Sequence, residues 1–186
     1  MRTLSLSVCV LTLLATACSD DRPPEPVPPP LHREVLFHAA VPVSLQDVFE
    51  HPDRAVLLTI ISDVDFDIRQ VDPVLRELPR LHDWHICDSA ELTTQETESL
   101  SSTFRRAIVE GEFNSKSCIF APHHVLRLEK DTRYLEIVVC FQCHEYQVLP
   151  EGGYKNINLN KDVGMEAAWR EVVKKHGLRD YSLDAG

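Results

Sequence analysis

HHVLRLEKDTRYLEIVVCFQC, residues 123–143, is two β-prone runs around Asp131-Thr132. Closing a hairpin there sets Lys130 opposite Arg133 and pairs Leu128 with Leu135, Leu126 with Ile137, His124 with Val139 and Phe120 with Cys143 on one face. The other face pairs Arg127 with Glu136, Val125 with Val138 and His123 with Cys140. Apolar residues meet apolar ones and opposite charges meet. A one-residue slip would turn every side chain to the wrong face, so the pattern specifies its own register. Asp-Thr is a weaker two-residue turn than Asp-Gly.

Outward from the hairpin, Arg54–Val64 (RAVLLTIISDV) is β-branched and apolar, a buried strand. His82–Leu92 alternates enough for another. Between them Gln70–Leu81 carries Pro73 and Pro79 and reads as a connection. Thr93-Thr94-Gln95-Glu96 is a capping box. Leu100, Phe104, Ala107 and Ile108 follow at helical spacing, so the spacing predicts a helix over 94–110, stopped by Gly111. Met165, Ala168, Trp169, Val172 and Val173 make a second stripe, stopped by Gly177. The expected fold is α+β, an antiparallel sheet of about four to five strands with two helices packed on one face.

Cys140-Phe141-Gln142-Cys143-His144 has the spacing of c-type haem attachment. Its flanks, LEIVV and EYQVL, favour strand. In a continuous strand successive side chains point to opposite faces, so the two sulfurs would diverge where haem needs both on one porphyrin edge. Haem on Cys140, Cys143 and His144 is disfavoured on that ground, and Met165, the available second ligand, sits on an apolar helix stripe. Cys118, His123, His124, Cys140 and Cys143 have the residue types of a zinc or thiol-redox site. Alternation scatters them, and a bulge would be needed to gather them. Disulfide alternatives are Cys118 with Cys143, or Cys140 with Cys143. Buried thiols are the plainest case. No cofactor is expected, with zinc the alternative. His85 and Cys87 would share a strand face near Trp84, but as a polar edge. Asp63, Asp65 and Asp67 imitate an EF-hand start, yet Ile68 and Val74 stand where Gly and Glu are required. Metalloprotease, nucleophile-elbow and phosphate-loop patterns are missing from the sequence.

Met1–Ala17 has Arg2 and then an apolar run too short to span a bilayer, the form of a signal peptide. Leu14-Ala15-Thr16-Ala17-Cys18 is similar to a bacterial lipobox, which implies that Cys18 is lipidated and heads the mature chain. The proline-dominated stretch to residue 30 is a semi-rigid tether reaching roughly 30 Å, so residues 18–31 are lipidated cysteine and spacer and residues 32–186 one domain. The expected location is the outer membrane, with the domain in the periplasm or at the cell surface. The membrane is one partner through the anchor, and a protein partner is open. Removal of Arg2 leaves 18 basic against 29 acidic residues. No basic stripe is present, which argues against nucleic acid. An oxidising compartment permits disulfides.

Phe120-Ala121-Pro122-His123-His124, with the strand ending Cys140-Phe141-Gln142-Cys143, resembles an uncharacterised family of bacterial exported proteins and lipoproteins. They carry Cys-Phe-x-Pro-Arg-His-Gly, then Cys-Phe-x-Cys, then a short helix. The resemblance runs loosely from Arg54 to Leu178. His124, Cys140 and Cys143 match. His123 and Val125 replace Arg and Gly, and Cys118 lies one residue before the expected cysteine. It implies an exported protein without a known activity. The expected role is a structural or interaction module, not catalysis, with a metal or thiol-redox protein as the alternative.

Overall fold

The computed structural model of the chain describes residues 37–62, 77–110, 120–149, 157–158 and 164–179. After a 3-10 turn (Val43–Leu45) come α1 (Gln46–Glu50), β1 (Arg54–Ser62), β2 (Arg80–Leu81), β3 (Trp84–Glu91), α2 (Thr94–Glu110), β4 (His124–Lys130), β5 (Arg133–Cys140), β6 (Glu145–Leu149), β7 (Ile157–Asn158) and α3 (Met165–Lys175). The strands make one antiparallel sheet in the order β2-β3-β1-β4-β5-β6-β7. The class is α+β. The sheet has seven strands where four to five were expected. Two of them, β2 and β7, are two-residue edges too short to show a pattern. The leader, Cys18 and tether, Asp63–Asp67, residues 70–76, Gly111 and Cys118 lie outside the described residues.

The β4–β5 register runs from His124 opposite Val139 to Lys130 opposite Arg133, as the charge and apolar matching required. Asp131 closes the turn at φ 52°, a left-handed conformation that aspartate tolerates. The loop before β1 braces this turn. Asp131 N–H donates to Asp53 Oδ2 at 3.0 Å, and Asp53 N–H to the Glu129 carbonyl at 2.8 Å. Asp47 of α1 accepts from Lys130 at 2.7 Å and Arg133 at 3.0 Å, which holds its carboxyl below the usual range, the Lys130 hydrogen bond first.

Alternation divides the sheet into two apolar faces. Ala55, Leu57, Leu126, Leu128, Leu135, Ile137, Val139, Tyr146 and Val148 pack under α2, α3 and the segment from Phe37 to Phe49. The expected two helices are therefore joined on that face by a third cover, the N-terminal segment. The opposite face carries Val56, Leu58, Ile60, Val125 and Val138, and Leu81 and Trp84 belong to the same cluster. A bulge between Thr59 and Ile60 leaves Cys87 as the extra residue of β3 and bends that end of the sheet.

The helix ends follow their sequence signals. Thr93 N–H and Oγ1 donate to Glu96 Oε2 at 2.9 and 2.8 Å, and Glu96 N–H returns to Thr93 Oγ1 at 3.3 Å, the reciprocal capping box. Glu96 Oε1 also accepts from Lys175 at 2.7 Å, so the start of α2 is tied to the end of α3. Helix α3 ends with Gly177 at φ 65°. Leu178 N–H bonds the Val173 carbonyl and Gly177 N–H the Lys174 carbonyl, at 3.0 and 3.1 Å, a Schellman motif.

Candidate functional site

β5 ends at Cys140 and β6 begins at Glu145, so the CFQCH pentapeptide turns where continuous strand was expected. Cys140 pairs with Glu145 across the β5–β6 ladder. Phe120 therefore does not pair with Cys143. His144 takes φ 54°, and its N–H reaches the Phe141 carbonyl at 3.3 Å. The turn was hidden because it holds no Gly, Pro, Asn or Asp. One signal was present: a strand uninterrupted from Arg133 to Leu149 would far exceed the usual five to six residues.

The turn brings Cys143 back toward Cys140, and Cys143 N–H donates to Cys140 Sγ at 3.4 Å. Strand divergence therefore does not separate these two residues. Cys140 and Cys87 carry thiols. Cys140 and Cys143 are 0% and 1% exposed.

The remaining sequence candidates separate. His124 lies on the helix-covered face, fully buried, with its ring centroid 5.3 Å from Phe141 and 6.5 Å from Trp169. His123 precedes β4 by one residue. Its N–H bonds the Val139 carbonyl and its carbonyl accepts from Ile60 N–H, so its backbone is held between β5 and β1 just before the paired register begins. Among the described residues no three His, Cys, Asp or Glu side chains converge as a metal-holding group. Met165 is core. Cys87 is buried, and desolvation, with Asp88 beside it, pushes its thiol up to about 11.

Sequence reasoning missed that Glu145 and Gln147 are buried polar residues on the second face. His123, Cys140 and Glu145 are all buried, and Cys140 pairs with Glu145 across β5 and β6. Burial pushes the Glu145 carboxyl upward, and its Oε2 has no hydrogen-bond partner among the described residues. Two rows away Glu136, 1% exposed, accepts from Arg127 Nη1 at 3.1 Å through Oε1, while its Oε2 lies 2.8 Å from His82 Nε2. Arg127 also reaches Glu129 at 2.7 Å and stacks 4.5 Å from the Tyr134 ring centre. The Arg127–Glu136 pair was legible from register. His82 was not, because it arrives from the β2–β3 turn.

A groove of about 520 Å³ opens elsewhere, between α1, the start of β1 and α2. Phe49, Arg54, Glu91, Thr97, Ser101 and Arg105 line it, and none of the hairpin cysteines or histidines does. Arg105 pairs with Glu50 and lies over the Phe37 ring, 4.2 Å from its centre. No protein-family profile, curated protein or solved structure matches the chain.

Proposed function

We propose that this chain is a lipid-anchored exported protein whose domain is an interaction module, with the β5–β6 turn secured by a Cys118–Cys143 disulfide. The observation that supports it most is the sealing of the cysteines: Cys140 and Cys143 are in the interior. Such sulfurs join layers of a fold; they do not meet a substrate. Cys118 is assigned by elimination. Of the six cysteines, Cys87 and Cys140 are thiols, Cys9 would leave with the leader, and Cys18 would carry the lipid. The anchor reading rests on residues 1–18, in which the lipobox-like segment precedes Cys18. No helix among the described residues is long and apolar enough to cross a membrane, and a lipid on Cys18 needs none. The groove beside α2 offers the module a mixed-charge surface away from the cysteines.

Labelled palmitate should enter the protein and be lost in Cys18→Ala. A photo-crosslinker at Ser102 in the groove should give a discrete adduct in cells, and one at exposed Gln142 should not. Palmitate retained in Cys18→Ala, or identical adducts from both positions, would overturn the reading. The metal or thiol-redox alternative stands second, favoured by the Cys143 N–H aimed at the Cys140 sulfur.

A further inference from the structure

We propose that the groove beside α2 is a docking site for a short basic peptide, an extended segment with an apolar residue among lysines or arginines. The inference rests on the interaction-module reading above and names the chemistry of the partner.

The lining of the groove divides by polarity. Phe49, Ala55 and Leu92, all members of the core cluster, supply its apolar part. Its charges are Glu50, Asp53, Glu91 and Glu98 against Arg54 and Arg105. The volume of about 520 Å³ falls within the ~300–1,000 Å³ of ligand clefts. Along α2 the lining runs from Thr94 to Arg105, about 16 Å of helix at ~1.5 Å per residue. An extended chain covers that length with about five residues. The site therefore has the dimensions of a peptide segment and exceeds those of a single amine.

The engagement of the two arginines decides the sign of the ligand. Arg105 is paired with Glu50 through Nη2. Arg54 is held by Glu91 at 3.4 Å and by Glu129 at 3.2 Å. An anionic ligand would have to displace a carboxylate from one of these guanidinium groups. Neither Asp53 nor Glu98 is in an ion pair among the described residues; Asp53 accepts the Asp131 N–H instead. With four carboxylates to two guanidinium groups, the lining keeps an excess of negative charge. A peptide ammonium or guanidinium reaches Glu98 and Asp53 without breaking an existing pair, and an apolar neighbour covers Phe49 and Leu92. Such complementarity steers encounter and selects the partner. The chain's net charge of −10 acts in the same direction at longer range.

The test is fluorescence anisotropy of the full chain with labelled Lys-Lys-Leu-Lys-Lys and Glu-Glu-Leu-Glu-Glu, repeated across salt concentrations. The basic peptide should bind, weaken as salt rises, and lose about tenfold in affinity in Glu98→Lys. Glu171→Lys makes the same charge change at an exposed α3 residue outside the groove lining, and should change affinity by about twofold or less. Ser102→Trp fills the groove from an exposed position without changing charge, and should also weaken binding. The proposal is overturned if the basic peptide does not bind, if the acidic one binds as tightly, if Glu98→Lys and Glu171→Lys lose equally, or if Ser102→Trp loses nothing. Spermidine competing as well as the peptide would overturn it too, since the site would then read charge alone. Each of these results leaves the interaction module standing where a crosslinker at Ser102 still gives its discrete adduct in cells; loss of that adduct fails the module itself.

Discussion

Glu136 is a carboxyl group almost wholly removed from water and shared between a guanidinium and an imidazole. Arg127 holds one oxygen and His82 lies at the other, their side chains 33% and 40% exposed. Removing a partner of a buried ion is costly because the remaining charge stays desolvated. The two sides of this pair should therefore respond differently. Glu136→Gln leaves Arg127 and His82, which solvent can reach, and should cost about 1–2 kcal/mol. Arg127→Leu strands the carboxylate and should cost about 3 kcal/mol or more. Urea denaturation of both variants checks the order, and equal losses would show that the carboxylate is solvated in practice. Cys87 gives a second expectation. Its thiol ionises at about 11, not 9.0, chiefly through desolvation. At pH 8 its thiolate should be about 100-fold scarcer than in the unfolded chain, since each pKa unit is a factor of ten, and native alkylation correspondingly slow. The sign follows. The folded state keeps a proton that the unfolded chain loses above 9.0, so this residue's contribution to stability is whole below that pH and disappears as pH rises through 11.

Elements whose ends are fixed by local chemistry were legible before any tertiary information. Thr93 and Glu96 define the start of α2 because each bonds the other's backbone, and Gly177 ends α3 because its left-handed φ allows two closing bonds. Thr93→Ala should cost about 1 kcal/mol. Gly177→Ala should cost about 1 kcal/mol as well, from backbone strain alone, because a Cβ there would meet nothing within 4 Å. Thermal melts of the two variants test both values. Glu96 does more than cap. Hydrogen bonds from Lys175 first, then Thr93, lower its carboxyl from 4.5 to about 2. A depressed carboxylate stabilises fully above its unfolded value and less as pH falls through the folded one. Glu96→Gln should therefore flatten the acid limb of stability between pH 4.5 and 2, measured by denaturant midpoints across that range. The CFQCH turn shows the opposite case. No residue in it prefers a turn strongly, and its conformation is set by the two strands it joins and by Cys143. Strand propensity on both sides was read correctly, yet it could not reveal the reversal between them.

At the scale of the whole molecule, the sheet is curled, and one contact measures the curl. His82 belongs to the β2–β3 turn, while Glu136 is on β5, and β1 and β4 lie between β3 and β5. Strands about 4.8 Å apart would put β3 about 14 Å from β5 in a flat sheet. The 2.8 Å approach of the two side chains requires the β2–β3 end to fold over the second face. The bulge at Thr59/Ile60 allows that bend, and Leu81 and Trp84 then join Val125 and Val138 in one apolar cluster. This closure explains why Glu145 and Gln147, which alternate with Tyr146 and Val148 as a solvent face would, are buried instead. Period-two patterning reports only that one face is polar, and the residues that cover it come from far away in sequence. The charge pairing within β4–β5 could be read from neighbouring strands alone; the His82 contact could not. If the His82–Glu136 contact holds the curl closed, His82→Ala should release the β2–β3 end while the hairpin stays folded, because local opening follows the contacts that a segment loses. Hydrogen exchange should then accelerate at least tenfold for amides of Arg80–Glu91 and change little for Leu126–Val139. Equal acceleration in both segments would mean that the sheet opens as one unit, and unchanged rates would mean that Leu81 and Trp84 hold the curl without the His82 contact.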